Sequence, residues 1–207
     1  MLNLYNKLIL SADYETESLS ELYALPWQLG FTIYKNGQKI ESYGSYLKWH
    51  RPLNVSSGAA RATHYNPFIV EKEAKPAKEV LEHFWSYLYD DKYTPLFHNG
   101  LGYDIQINNV ARRELGLLPD YSFVPRVLDS NAIARGIKMN MKPKEGENFT
   151  AWQYKMLNIH AKGVRTSIIA LCKEFNIECD ENRLHEATYD TEKAYDILRE
   201  LEKRMNY

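Results

Sequence analysis

The segment LILSADYETESL, residues 8–19, runs from an apolar stretch directly into three acids at alternate positions, Asp13, Glu15 and Glu17. A short apolar run of this kind is typical of a buried strand, where an unpaired carboxylate is costly. Side chains two residues apart on a strand point the same way, so Asp13 and Glu15 project together from its end. Taken alone the pair is weak evidence, because two solvated acids at a strand end would give the same pattern.

The composition is that of an ordinary globular protein. The chain has 207 residues, of which 44% are hydrophobic and 26% charged, and its net charge of −1 excludes a uniformly basic surface but not a local basic patch. Its two cysteines lack CxxC spacing, which disfavours a zinc site or a disulfide framework and favours a reducing compartment. No signal peptide and no apolar run of membrane-spanning length is recognisable, so we expect a cytoplasmic protein without membrane contact.

Hydrophobic periodicity and turn residues divide the chain into strands and helices. Asn36-Gly37 lies between two β-rich runs and is a strong hairpin signal, so the first three strands are expected to form an antiparallel meander. The other predicted elements are a strand at 7–13, an irregular connection at 50–75, a helix at 77–89, a strand at 94–98, a helix at 104–115, a strand at 123–128, a short helix at 131–135, an irregular segment at 138–163 and helices at 167–175 and 189–205.

This order predicts a single α/β domain over residues 1–207. Its centre would be a mixed five-stranded sheet, made of a three-strand antiparallel meander plus two βα units and flanked by helices. The first strand would be central, and open α/β sheets carry their ligand sites at the C-terminal ends of such strands. In this prediction residues 138–163 form a basic, irregular insertion.

Two further segments carry acids to the ends of predicted elements. HNGLGYD (98–104) delivers Asp104 to the start of a helix, and LHEATYD (184–190) places His185 five residues before Asp190, which opens the last helix. Each aspartate alone could be only a helix cap. Four carboxylates gathered at one sheet edge, however, would repel one another, and hard divalent cations such as Mg²⁺ or Mn²⁺ resolve that conflict. The candidate metal ligands are therefore Asp13, Glu15, Asp104 and Asp190.

The three motifs together resemble the DEDDh 3′–5′ exonucleases of the ribonuclease H-like fold. LILSADYETESL resembles that family's first motif, HNGLGYDI the second and RLHEATYDTEKAYDIL the third. LDSNAIARG (128–136) and TSIIALCKEFNI (166–177) resemble further segments, so the resemblance covers nearly the whole chain. His64 takes the place of the histidine in the family's H-G-I-T segment, although Tyr65-Asn66-Pro67 follow it here. The resemblance implies a ribonuclease H-like fold for the predicted α/β domain.

The resemblance also implies hydrolysis of phosphodiester bonds with two divalent cations, Mg²⁺ or Mn²⁺. Asp13 would be the ligand shared by both cations. Glu15 and Asp190 would hold the cation that activates water, and Asp104 would hold the second. His185 would be the general base, because an imidazole titrates near neutral pH. The product would be a nucleoside 5′-monophosphate released from a 3′ end.

The same resemblance gives four candidate substrate contacts, Thr16, Leu19, His64 and Asn99. Leu19 would wedge against a base, although an apolar residue there could equally belong to the core. Asn99 could orient a ligand or the strand, but an Asn-Gly turn would also explain it. Glu17 stands where many family members have a small residue, and it is expected to be solvated rather than a ligand.

The segment from Arg126 to Ile168 is locally basic. It contains eight lysines or arginines against three acids, with Phe149, Trp152 and Tyr154 among them. Basic and aromatic side chains together suit a single strand, whose phosphates meet charge and whose bases meet aromatic faces. A solvated, flexible insertion would show the same composition.

Three functions are compatible with these residues. The leading one is a metal-dependent 3′–5′ exonuclease acting on single-stranded DNA or frayed 3′ ends, with DNA favoured over RNA. The second keeps the chemistry on RNA, as an exoribonuclease or oligoribonuclease. The third is a catalytically idle ribonuclease H-like module that binds nucleic acid or a protein, and the presence of all four acids and the histidine argues against it. A homodimer, association with replication or repair proteins, and a phage origin are all compatible with the sequence.

Overall fold

The computed structural model describes residues 2–205 of the chain. The strands are β1 (Leu8–Thr16), β2 (Pro26–Lys35), β3 (Gln38–Lys48), β4 (Lys75–Pro76), β5 (Tyr93–Phe97) and β6 (Leu128–Asp129). The α-helices are α1 (Ser57–Ala62), α2 (Pro67–Glu73), α3 (Ala77–Leu88), α4 (Asp104–Glu114), α5 (Ser130–Lys138), α6 (Phe149–Asn158), α7 (Ile168–Phe175) and α8 (Ala187–Met205). Short 3₁₀ turns lie at Val124–Arg126 and Glu181–Arg183.

The strands form one mixed sheet in the order β4-β3-β2-β1-β5-β6. β1, β2 and β3 are the predicted antiparallel meander, and β5 and β6 extend it with parallel pairing beyond β1. Asn36 and Gly37 form the hairpin turn with positive φ angles of 50° and 86°, the backbone that a tight two-residue turn requires. The predicted α/β architecture is confirmed. The sheet has six strands rather than five, because the two-residue β4 pairs with the end of β3.

The predicted strand at 123–128 is wrong for most of its length. Val124–Arg126 is a 3₁₀ turn, and only Leu128–Asp129 pairs with β5. Pro125 explains the difference, since its ring fixes φ and it has no N–H to donate to a neighbouring strand.

Two segments predicted as irregular contain helices. Residues 50–75 include α1 and α2, which escape periodicity analysis because α1 buries no side chain and α2 buries only Val70. Residues 138–163 include α6, which buries Trp152, Gln153 and Met156. The insertion therefore contains a packed helix and is not a flexible loop throughout.

Alternate side chains of β1 enter two separate cores. Leu10 and Tyr14 pack with Phe84 of α3 on one face of the sheet, whereas Ile9 packs with Leu198 of α8 on the other. Because the side-chain period of a strand is two, the odd-numbered residues of β1 face α8. Asp13 and Glu15 belong to that odd-numbered set. Within residues 2–205, no helix combines the length and the apolar character needed to cross a bilayer.

Candidate active site

Helix α8 begins directly on top of the sheet because two glycines leave room for it. A Cβ built on Gly30 would lie 2.5 Å from the carbonyl carbon of Ala187 and 2.5 Å from the backbone nitrogen of Thr188. A Cβ on Gly44 would lie 2.6 Å from the Cγ2 atom of Thr188. Only glycine permits so close an approach. The first turn of α8, with Asp190 in it, is thereby brought down to the sheet.

Polar contacts fix the same turn of α8 against β1 and β2. Ser11 donates its hydroxyl to the carbonyl of Thr191 at 2.8 Å, and the Thr191 hydroxyl lies 2.9 Å from that of Thr32. All three side chains are buried. Asp13 pairs in register with Gly30, directly beside the contact with α8. The first and third motifs therefore meet through the packing of a helix on two strands.

The second motif reaches the same edge of the sheet through the turn that follows β5. Asp104 is the first residue of α4, and one of its carboxylate oxygens accepts a hydrogen bond from the backbone N–H of Tyr14 at 3.3 Å. The turn itself is held by the buried carboxylate of Asp129, which accepts from the N–H groups of Asn99 at 3.1 Å and Leu101 at 3.0 Å. Asp129 thus positions the loop that leads to Asp104.

Asp129 is held in turn by a residue that sequence reasoning missed. The amide of Gln153 accepts from the backbone N–H of Asp129 at 2.7 Å and donates to the carbonyl of Val127 at 2.9 Å. Gln153 is fully buried on α6. β6 is the last strand in the sheet order, and the amide of Gln153 makes the two backbone hydrogen bonds there that a neighbouring strand would otherwise make. No spacing in the sequence links positions 129 and 153, so the sequence gives no indication of the contact between Gln153 and Asp129.

We expect a Gln153→Leu substitution to weaken both the fold and the site. It would leave the N–H of Asp129 and the carbonyl of Val127 buried without partners, at about 1–3 kcal/mol for each group. The free energy of unfolding should fall by about 2 kcal/mol or more, measured by urea denaturation. Asn158→Leu on the exposed side of the same helix is the matched control and should change it by less than about 0.5 kcal/mol. Equal effects of the two substitutions would contradict the role given to Gln153.

One cleft of about 310 Å³ brings the predicted catalytic residues together. It is lined by Asp13, Glu15, Asp104, His185 and Asp190, along with Asn99, Tyr103 and the start of α7. These residues come from β1, α4, and the turn into α8, so the fold gathers three distant segments of the chain. The cleft lies at the C-terminal end of β1, where the sequence predicts a ligand site.

His185 lies at the rim of this cleft beside two of the acids. Its Nδ1 atom is 3.9 Å from a carboxylate oxygen of Glu15, and its backbone N–H donates to Asp190 at 3.1 Å. The backbone of His185 is left-handed, with φ of 69°, and its side chain is 53% exposed. Glu15, His185 and Asp190 each offer a ligand atom within 4.8 Å of the others. The imidazole is therefore both open to solvent and close to the carboxylates.

The carboxyl groups of the cleft have strongly raised pKa values. Burial raises the pKa of Asp104 and that of Asp190 to about 7 each. Burial, and then the charges of the neighbouring acids, raise the pKa values of Asp13 and Glu15 well above their usual range. One oxygen of Asp190 is buried with no hydrogen-bond partner among the described residues. Mutual repulsion, an orphaned oxygen and oxygen donors together fit a divalent cation.

The stability of the metal-free protein should depend on pH in a defined direction. Asp104 and Asp190 titrate at about 7 when folded, against the usual value of 3.8, so the folded state binds more protons between these values. These two carboxyl groups therefore make a contribution to the stability that is fully present below about pH 4 and is lost as pH rises through about 7. We expect melting in EDTA to occur at a lower temperature at about pH 8 than at about pH 5, and Mg²⁺ to restore it at pH 8. An Asp190→Asn variant should show a flatter dependence, and an unchanged one would contradict this account.

The four predicted substrate contacts have different environments. Thr16 is buried, and its hydroxyl bonds to the carbonyl of Ser18 and the hydroxyl of Tyr103, so the side chain organises its own loop. Leu19 is 92% exposed, which makes the alternative of a core residue wrong. Asn99 lines the cleft. His64 lies outside that cleft, in an adjoining pocket that has His185 in its wall.

Glu17 is not solvated, contrary to expectation. Its carboxylate is buried and accepts two hydrogen bonds from Arg51 at 2.8 and 3.1 Å, along with the N–H groups of Leu25 and Asn54. Burial opposes ionisation, but these bonds outweigh it and lower the pKa of Glu17. The third acid of the opening segment therefore fixes the loop after β1 and is not part of the cleft.

Solved structures with a similar architecture include those of exonuclease I. The chain superposes on the zinc-bound form of the Escherichia coli exonuclease I complex with single-stranded DNA, with a TM-score of 0.74 and 16% identity over 97% of this chain. The fold is the ribonuclease H-like fold of exonuclease I. Exonuclease I in complex with a dT13 oligonucleotide gives a TM-score of 0.74 at 18% identity, and a product-bound exonuclease I gives 0.73 at 15%.

The likeness to exonuclease I is one of structure and not of sequence. No family model and no curated protein matches the chain. The chain covers 41–44% of the exonuclease I chains in these superpositions, so it corresponds to less than half of that enzyme.

Proposed function

We propose that the protein is a 3′–5′ exonuclease that hydrolyses phosphodiester bonds of single-stranded DNA, or of frayed 3′ ends, and releases nucleoside 5′-monophosphates. The observation that carries the proposal is the convergence of four carboxylates and one exposed histidine, from three segments of the chain, on a single cleft. The solved structures with this fold include exonuclease I bound to single-stranded DNA. That likeness supports DNA as the first substrate to test.

The acids of the cleft would hold two divalent cations, Mg²⁺ or Mn²⁺. Asp13 would be the shared ligand, Glu15 and Asp190 would complete one site, and Asp104 would complete the other. When bound, such cations stabilise negative charge on the attacking and leaving oxygens of a phosphodiester. The raised pKa values of the free acids follow from burial and from mutual repulsion, which a cation would remove.

His185 would take the proton from the attacking water. Partial burial, and the nearby His64, lower the pKa of His185, so the imidazole is neutral near pH 7 and can accept a proton. The left-handed backbone at His185 turns the side chain toward Glu15 at the open side of the cleft. After the reaction the proton can pass directly to solvent, because half of the side chain is exposed.

We expect a His185→Ala substitution to lower kcat by about 10²–10⁴-fold, the range for loss of a general base. The protein should remain folded, since about half of the side chain is exposed and it makes no hydrogen bond to any other residue within residues 2–205. The measurement is initial rate against pH, in which the acidic limb of the profile should become shallower than in the wild type, because only the carboxyl groups of the cleft still titrate there. His160→Ala, another exposed histidine, is the control and should leave the profile unchanged. A His185→Ala enzyme with wild-type kcat would exclude this role.

The function itself is tested with 5′-labelled single strands of DNA and RNA of one sequence, in Mg²⁺ or Mn²⁺. The proposal predicts a ladder that shortens from the 3′ end, stops on addition of EDTA and is blocked by a phosphorothioate at the 3′ terminal linkage. Faster shortening of RNA would reassign the protein as an exoribonuclease. Binding of both strands without shortening of either would make it an idle nucleic-acid-binding module.

A further inference from the structure

The eight basic residues between Arg126 and Ile168 are not all used in the same way, and five of them show the difference. Arg126, Arg135 and Lys138 are used within the fold: their side chains donate to backbone carbonyls of neighbouring segments, and Lys138 also pairs with Glu174. Lys162 and Arg165 are different. Both are exposed, and neither side chain has an ion-pair partner within residues 2–205. The positive charges of these two side chains are therefore available to an anionic ligand.

Lys162 and Arg165 lie on the segment 159–166, which joins α6 to α7 and which we call the basic loop. Thr166, at its end, is buried, and its hydroxyl donates to Asn131 at 2.6 Å. The amide of Asn131 donates in turn to Asn99, in the wall of the cleft, at 3.2 Å. The backbone of Thr166 also hydrogen-bonds to the imidazole of His98. The end of the basic loop is thus fixed to the second motif.

The basic loop runs directly into the wall of the cleft. Ser167 lines the cleft, and Arg165 precedes it by two residues, a span of at most about 7 Å. Lys162 precedes it by five residues, a span of at most about 18 Å. The cleft itself carries four carboxylates, which repel a polyanion until they are neutralised. Two uncompensated cations beside that cleft would attract the strand where the acids repel it.

We propose that Lys162 and Arg165 bind the phosphodiester backbone of the single strand as it leaves the cleft, upstream of the 3′ terminal nucleotide. This inference rests on the proposed function. The contact is to phosphates, so it gives affinity and register without base sequence preference. A substrate long enough to reach the basic loop gains from it, and a dinucleotide does not.

The test is the salt dependence of strand binding, measured by fluorescence anisotropy with labelled oligothymidine of about twenty nucleotides. EDTA is present so that the strand is not cleaved. Each phosphate contact to a single strand contributes about −0.7 to the slope of log K against log salt concentration. A Lys162→Ala/Arg165→Ala double variant should therefore reduce the magnitude of the slope by about 1.4.

The matched control is Lys7→Ala/Lys35→Ala, which removes the same charge from the end of β1 and β2 that is opposite the cleft. Lys35 pairs in register with Leu8, at the start of β1, and Lys7 precedes that residue. This control should keep the wild-type slope. If both double variants change the slope equally, or neither changes it, the basic loop is not a strand contact.

A second measurement separates this inference from the proposed function. Wild type and the Lys162→Ala/Arg165→Ala variant should cleave a dinucleotide with the same kcat/KM. On the long strand, the variant should have a lower kcat/KM than the wild type. Equal loss on both substrates would overturn the inference and point to damage to the cleft. If the wild type cleaves neither substrate, the proposed function fails, but the salt slope still decides whether the basic loop binds the strand.

Discussion

An Asp13→Asn variant is expected to lose activity by about 10³-fold or more while the metal-free protein becomes more stable. The loss follows from the proposed function, in which the cations that the acids would hold stabilise the transition state by several kcal/mol, and each 1.36 kcal/mol is tenfold in rate. The gain follows because desolvation, and then the charges of the neighbouring acids, raise the pKa of Asp13, so a neutral amide of the same shape removes both the desolvation cost of a charge and the repulsion. Opposite changes in activity and stability are the mark of a functional cluster of like charges.

The two halves of this result are measured separately. Activity is followed on 5′-labelled single-stranded DNA in Mg²⁺, and stability by thermal melting in EDTA at about pH 8, where repulsion between the carboxylates is greatest. Asp91→Asn is the matched control, since that side chain is 96% exposed and lies outside the cleft. A variant of Asp13 that remains active would exclude it as a shared ligand. A variant that melts lower in EDTA would contradict the account of repulsion.

A Gly30→Ala variant should damage both the fold and the site. The added Cβ would lie 2.5 Å from backbone atoms of Ala187 and Thr188, which cannot turn aside as a flexible side chain would. Overpacking of this kind costs about 1–3 kcal/mol, and we expect the upper end of the range or more because backbone must move. Since Asp190 is in the displaced turn, activity should fall together with stability.

Gly58→Ala provides the control for Gly30→Ala. No atom of residues 2–205 lies within 4 Å of a Cβ built on Gly58, which is in the exposed helix α1. Alanine there should leave activity unchanged and be neutral or stabilising by up to about 1 kcal/mol. Urea denaturation and the strand-shortening assay report both quantities. Near-wild-type behaviour of the Gly30→Ala variant would mean that α8 can shift without cost, and that its contact with the sheet does not position Asp190.

The features that the sequence reveals are those that depend on short stretches of chain. The hairpin at Asn36-Gly37 follows from local backbone preference. The clustering of Asp13, Asp104 and Asp190 follows from acids at the ends of elements, since the ends of neighbouring strands meet at one edge of a sheet. Each of these signals is contained in a few consecutive residues.

The features that the sequence conceals depend on contacts between distant segments. Gln153 bonds to Asp129 across 24 positions, and a glutamine in an amphipathic stretch gives no sign of its partner. The sequence does not distinguish Gly30 from other strand residues, because its close contact is with the distant helix α8. Glu17 illustrates the same limit, because nothing in the alternation of acids indicates that Arg51 will pair with it.

The contact of α8 with Gly30 has a consequence for the thermodynamics of cation binding. With no side chain between the helix backbone and the sheet, the distance from Asp190 to β1 is set by backbone packing and not by adjustable rotamers. Ligands that are already in place lose little conformational entropy when an ion arrives. If the acids hold a cation as proposed, the site is already ordered when the chain folds, and the main competitors of that cation would be the protons on the carboxyl groups with raised pKa values.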